Sequence, residues 1–239
     1  MLPAADQPLF DLVNGPAPVT IADVIARMQT IDAQLPANDG IKWFNRLYLM
    51  VTQQVDLHPP GGGWKSPLWL NRLDVVFAGL YFSALAGFLG EQLVPSAWNA
   101  LFEGRYRTGI DRIQFALAGM NAHINHDLAL ALLATDAEFN IVPAPGSPEF
   151  ADYQSVNGLL NTVMPSALTM LATDALGVIA QDTGKIGRLL AFWNICRARD
   201  LAWEFANHLR TLDPLSRSLA LGSQDTLTGA LGRAILATA

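Results

Sequence analysis

Phe115-Ala-Leu-Ala-Gly-Met-Asn-Ala-His-Ile-Asn-His-Asp-Leu128 reads as one buried helix with five polar residues set into it: Asn121, His123, Asn125, His126 and Asp127. Apolar and small residues take the remaining positions, and no strict alternation of apolar with polar suggests a strand. Two of the chain's four histidines lie here. A helix advances about 100° per residue, so His126 and Asp127, at i+3 and i+4, are expected to converge with His123 on one spot. Imidazole and carboxylate taken out of water need hydrogen-bonding partners, a metal or a substrate. That spot is the candidate site.

Outward from this stretch the chain punctuates into further helices. Thr20 can cap a helix to about Leu35, and the Pro36 to Gly40 turn leads into Ile41 to about Val55. Ser66 and Pro67 form a cap and first-turn pair for a helix through Leu89, and Ser96 starts a shorter one. Thr108 and Asp111 have capping-box spacing at the start of the His123 helix, which is expected to reach about Ala134. After the Pro/Gly-rich loop Val142 to Pro148, helices are expected at Tyr153 to Val163, Ser166 to Gln181, Lys185 to Leu212, Pro214 to Leu221 and near Leu227. Residues 1–18 read as an extended arm. The sum is a single all-α domain over residues 1–239, a bundle of about eight helices.

Composition bounds what such a bundle does. Of the 239 residues, 51% are hydrophobic and 15% charged, the latter below the roughly 25% usual for globular chains. Much of the chain is therefore buried within itself or against a partner, a second copy included. The apolar run Val75 to Gly90 is shorter than the ~18–20 residues that span a bilayer, and Asp74 and Glu91 bracket it, so it reads as a core helix without a transmembrane segment. The N-terminus lacks the basic-then-apolar pattern of a secretory signal, and a cytoplasmic location is the expectation. Cys196 is the single cysteine, which excludes an internal disulfide and a cysteine-clustered zinc site. A net charge of −6 without any Lys/Arg cluster argues against nucleic acid.

A second polar stripe, Arg197, Asp200, Glu204 and His208, recurs at i, i+3, i+7 and i+11 with Trp193 at its head. It reads either as a solvated face of ordinary ion pairs or as an inward face opposite His123 and Asp127. Inward, the set His123, Asp127, Asp200, Glu204 and His208 would suit a divalent metal such as iron, manganese or zinc, as in helical bundles with mixed His/carboxylate sites. Asp74 begins an otherwise uncharged run and shares a face with Ala78 and Tyr81; it is a candidate acid or a buried ion-pair partner. Asn121 and Asn125 could orient a ligand through their amides or tie down backbone groups.

These residues carry a resemblance. Asn71 to Phe82, Ala97 to Phe102 and Gln114 to Leu128 resemble an actinobacterial and fungal family described as a domain of unknown function, and Ile41 to Tyr48 and Ala198 to Trp203 are similar to it as well. The resemblance implies an all-helical domain whose shared polar positions include Asp74, Asn121, His123, Asn125 and Asp127. It implies no reaction. This chain has His126 where the family pattern has a basic residue, and its Pro/Gly loop at His58 to Gly63 departs from the pattern.

The leading expectation is a small-molecule enzyme acting on a hydrophobic metabolite in an apolar helical pocket. Its catalytic candidates are His123, Asp127, Asp74 and Glu204, and its substrate-binding candidates Asn121, Asn125, Tyr81, Trp193 and Arg197. With a metal, the His/carboxylate set could activate water or oxygen. Without one, His123 would be the general acid/base of a cyclase, lyase or isomerase. The alternatives are an HD-type phosphohydrolase, suggested by the His126-Asp127 doublet, and a non-catalytic helical binding protein.

Overall fold

A computed structural model describes residues 3–172 and 194–237. Among them there are nine α-helices and no strands. Thr20 caps α2 (Ile21–Gln34) with a capping box to Asp23, whose carboxylate accepts from the Thr20 N–H at 2.9 Å. Asp39 caps α3 (Gly40–Leu57), accepting from the Ile41 N–H at 2.9 Å. Pro67 opens α4 (Pro67–Leu89), and Asp152 reaches across to accept from the Lys65 and Ser66 N–H groups at 2.9 and 2.6 Å. α5 is Ser96–Gly104. α6 has two α-helical halves, Arg112–Ala122 and Leu128–Phe139, joined through the π-turn His123–Asp127. α7 (Pro148–Ala172), α8 (Ile195–Thr211) and α9 (Pro214–Ile235) follow.

Several boundaries differ from the sequence reading. Residues 4–13 are not an extended arm: a 3-10 turn at Ala4–Asp6 leads into α1 (Gln7–Val13), which buries Leu9 and Val13. What fixes it is a buried ion triad, in which Arg105 donates to Asp6 at 3.0 and 3.2 Å and through Nε to Asp39 at 2.8 Å. Asp111, not Thr108, is the cap of α6, with Gln114 Oε1 accepting from the Asp111 N–H at 3.0 Å. Pro165 does not divide α7; it is exposed, and the carbonyl its ring leaves unbonded belongs to exposed Asn161, within reach of water. α9 is likewise one helix where two were expected. α8 begins at Ile195, because Asn194 is extended and caps it by accepting from the Arg197 N–H at 3.0 Å. Residues 173–181 of the expected Ser166 helix, and Lys185 to Trp193, lie outside the described residues.

The core sits where α3, α4 and α6 cross. α3 and α6 approach through a reciprocal exchange: a Cβ on Gly119 would lie 2.3 Å from the Phe44 ring, and one on Gly40 would lie 2.3 Å from the Phe115 ring. Each helix thus offers a glycine to the other's phenylalanine at matching i,i+4 spacing, which sets the backbones close together. α4 is 23 residues long and, by length and composition, is the one described helix apolar enough to cross a membrane. Here Trp69, Leu70, Leu73, Phe77, Tyr81, Phe82 and Leu85 are buried in the core.

Candidate functional site

The π-turn puts the polar residues of α6 into the crossing. Such single-turn widenings of a helix recur at functional sites, because an extra residue per turn re-aims the side chains. His123 is 1% exposed, its ring stacked on Phe77 at a centroid distance of 3.5 Å and an interplanar angle of 6°, with the Tyr48 ring edge-on at 4.3 Å. Its Nδ1 lies 3.5 Å from Asp127 Oδ2. Its Nε2 is buried with no hydrogen-bond partner among the described residues. Burial holds the His123 imidazole below its ordinary pKa against the opposing pull of Asp127, so the ring is neutral near pH 7.

Asp127 is the hub. Trp98 Nε1 donates to Oδ2 at 3.0 Å and His126 Nδ1 to Oδ1 at 2.8 Å. Burial alone would push this carboxyl up, but its hydrogen bonds to His123 and His126 outweigh it and hold it below the usual carboxylate range. His126 does not converge on His123; it turns the other way, toward Asp225 of α9, with its Nε2 3.6 Å from Oδ1. Burial pulls the His126 pKa down, yet Asp127 and Asp225 together carry it above the ordinary value.

On the far side of His123 lies a cavity of about 40 Å³, walled largely by apolar residues such as Val55, Leu73, Phe77, Ile124 and Leu160. That is room for a few water-sized groups, well below the ~300 Å³ at the low end for drug-sized ligands. The polar side chains at its wall are Tyr48, Thr52, Asp74, His123 and Arg199. Asp74 Oδ2 is buried and, like His123 Nε2, has no partner among the described residues. Burial raises its carboxyl to about 7, with Arg199 opposing and Asp56 assisting. Arg199 is fastened in place, donating through Nε to Asn157 Oδ1 and through Nη2 to the Tyr153 carbonyl, both at 2.8 Å, over the Tyr153 ring.

Thus the structure sets His123 beside Asp127 and in one cavity wall with Asp74, and leaves the other predicted site residues elsewhere. The α8 stripe faces outward: Arg197 and Glu204 are 61% and 63% exposed and 3.9 Å apart, and His208 is exposed. Asp200 accepts from Gln154 Nε2 at 3.0 Å. The inward orientation and the metal set built on it are therefore corrected, and among the described residues no group of three or more His, Cys, Asp or Glu side chains is placed to hold a metal ion. The Asn121 and Asn125 side-chain amides are tied to protein groups and neither lines the cavity: Asn121 Nδ2 donates to the Thr228 carbonyl and Asn125 Nδ2 to Asn121 Oδ1, both at 2.9 Å. Tyr81 is buried against Phe44 and Trp98, outside the cavity wall, with its hydroxyl unpartnered among the described residues. Trp193 lies outside the described residues.

The sequence reading missed Arg199, Tyr48, Trp98 and Asp225. Arg199 was legible: it falls on the stripe Ile195, Ala198, Ala202, Trp203, Ala206 and Leu209, the buried face of α8, where an arginine must be partnered. Asp225 left no signal, being about a hundred residues from the π-turn it meets.

The model of a family of unknown function, DUF5995, matches residues 21–238. The chain belongs to DUF5995. The match takes in every element that builds the site, from α3 to α9, so the π-turn and its cavity lie within the DUF5995 domain. No curated protein and no solved structure matches the chain.

Proposed function

We propose that this DUF5995 chain is a small-molecule enzyme in which His123 and Asp74 act as a general base and general acid on a group admitted to the apolar cavity between α3, α4 and α6. The observation that carries the reading is the pair of orphaned atoms: His123 Nε2 and Asp74 Oδ2 line one cavity, and each is buried without a partner among the described residues. Buried polar atoms are rarely left so, and each one calls for an explanation such as a catalytic role or a bound water or ion; of the six such atoms among the described residues, these two share a cavity.

Their protonation states are complementary. His123, held neutral by burial, offers a lone pair at Nε2, while Asp74, raised to about 7, retains its proton on a substantial fraction of molecules at neutral pH. Two titratable groups with pKa values pushed in opposite directions suit removal of a proton at one atom and delivery at another. Isomerisation, elimination and cyclisation share that requirement. In this reading Arg199 and Thr52, which line the same cavity, meet a polar substituent through the groups that their bonds to protein leave over, and the small cavity restricts entry to the reacting end of an apolar metabolite.

A binding protein without turnover is the second reading, favoured by the close stacking of His123 on Phe77. The HD-type reading has less support, since Asp127 is occupied by Trp98 and His126. Incubating a small-molecule extract with wild type, Asp74→Asn and His123→Gln, followed by mass spectrometry, tests the proposal. The expected result is a compound converted by wild type at unchanged mass or with loss of water. Conversion falls on the order of 10²-fold or more in both variants while circular dichroism is unchanged. A compound retained but never converted would support the binding protein instead.

A further inference from the structure

Two of the three donors that face Asp127, Trp98 and His126, are carried by or lie beside groups that Asp225 of α9 contacts. Asp225 Oδ2 accepts from the Ser96 N–H and Oδ1 from the Ala97 N–H, each at 2.9 Å, which pins the first turn of the helix that carries Trp98. Its Oδ1 also lies 3.6 Å from His126 Nε2. The contacts close a ring: Asp225 to the start of α5, Trp98 to Asp127, Asp127 to His126, and His126 back to Asp225. The ring joins α5, the π-turn and α9, and neither Asp225, His126 nor Trp98 lines the cavity.

A carboxylate only accepts hydrogen bonds, so each nitrogen facing Asp127 presents an N–H. For a neutral imidazole, a proton on Nδ1 leaves Nε2 bare, and the tautomer follows from the bond that the other nitrogen makes. We infer that Asp225 is a positioning residue for His123: by closing the ring it orients the Asp127 carboxylate and so holds His123 as the Nδ1–H tautomer with Nε2 open to the cavity. The catalytic consequence rests on the acid–base reading above, but the tautomer does not. Simple capping of α5 by Asp225 would stabilise the fold and leave the His123 tautomer alone.

The test uses the full chain with ¹⁵N-labelled histidine and reads the ring nitrogens of His123 by long-range proton–nitrogen NMR near neutral pH. Wild type is expected to show a protonated Nδ1 and an unprotonated Nε2. Asp225→Ala should move His123 toward the Nε2–H form while the protein stays helical. Asp225→Asn keeps an acceptor for the α5 amides and removes the anion beside His126; it should shift His123 in the same direction and carries the test if the alanine variant does not fold. A wild-type His123 pattern in the folded Asp225 variants, or an Nε2–H tautomer in wild type itself, overturns the inference. No substrate enters this measurement, so its failure is distinct from a failure of the proposed reaction. With a substrate in hand, the Asp225 variants should lose about 10-fold or more in kcat at nearly constant KM, the scale seen when residues orienting a functional histidine are removed.

Discussion

The π-turn of α6 and the outer face of α8 both carry titratable residues at i,i+3 and i,i+4 helical spacing, yet they have opposite fates. His123 and Asp127 are 1% and 2% exposed, whereas Arg197 and Glu204 stand more than half exposed. Around the π-turn the aromatic rings of Phe44, Tyr48, Phe77 and Trp98 exclude water, so every polar atom must find a partner or await one. On α8 water supplies the partners, and the ion pair across 3.9 Å adds little. A polar stripe on a helix therefore becomes a site only when the neighbouring elements close over it.

That contrast can be broken most forcefully at Asp127. Asp127→Ala leaves His126 without its closest anion and the Trp98 N–H without an acceptor in a dry interior, and about 3 to 5 kcal/mol of stability should be lost in urea unfolding. A loss below about 1 kcal/mol would mean that the π-turn is as well hydrated as α8.

Asp74 gives a pH-resolved version. Its folded-state pKa, raised to about 7, exceeds the ordinary value of 3.8, so the stability it confers is present below that ordinary value and is lost as pH rises through about 7. The advantage of Asp74→Asn over wild type should then grow by about 2 to 3 kcal/mol between roughly pH 4.5 and pH 8. A pH-independent difference would show that the Asp74 carboxyl is solvated.

The helix crossing that seals the site is tested by Gly119→Ala. The added methyl meets the Phe44 ring, and about 1 to 3 kcal/mol of destabilisation is expected in thermal or chemical unfolding. Gly158→Ala, at a position with nothing within 4 Å, is the control and should be neutral or mildly stabilising. Smallest of all should be Glu204→Ala on the outer face of α8, with a change within about 0.5 kcal/mol. A larger loss there would give the stripe a partner that the described residues do not include.

By itself the sequence determined the helical class, the starts at Thr20, Pro67 and Ser96, and the concentration of polar residues between Asn121 and Asp127. Those features depend on local propensity, capping and turn chemistry, which act over a few residues. It also carried the clue that Arg199 lies on an apolar face. Tertiary structure decided which stripe turned inward, that Pro165 could stay within a helix, that residues 7–13 dock as a helix, and that His126 looks to Asp225 while His123 looks to a cavity shared with Asp74. Helical periodicity fixes only the angles between residues on one helix; where that helix points depends on contacts between residues far apart in the chain. A ring through Ser96, Trp98, Asp127, His126 and Asp225 exists only once α5, α6 and α9 have packed together.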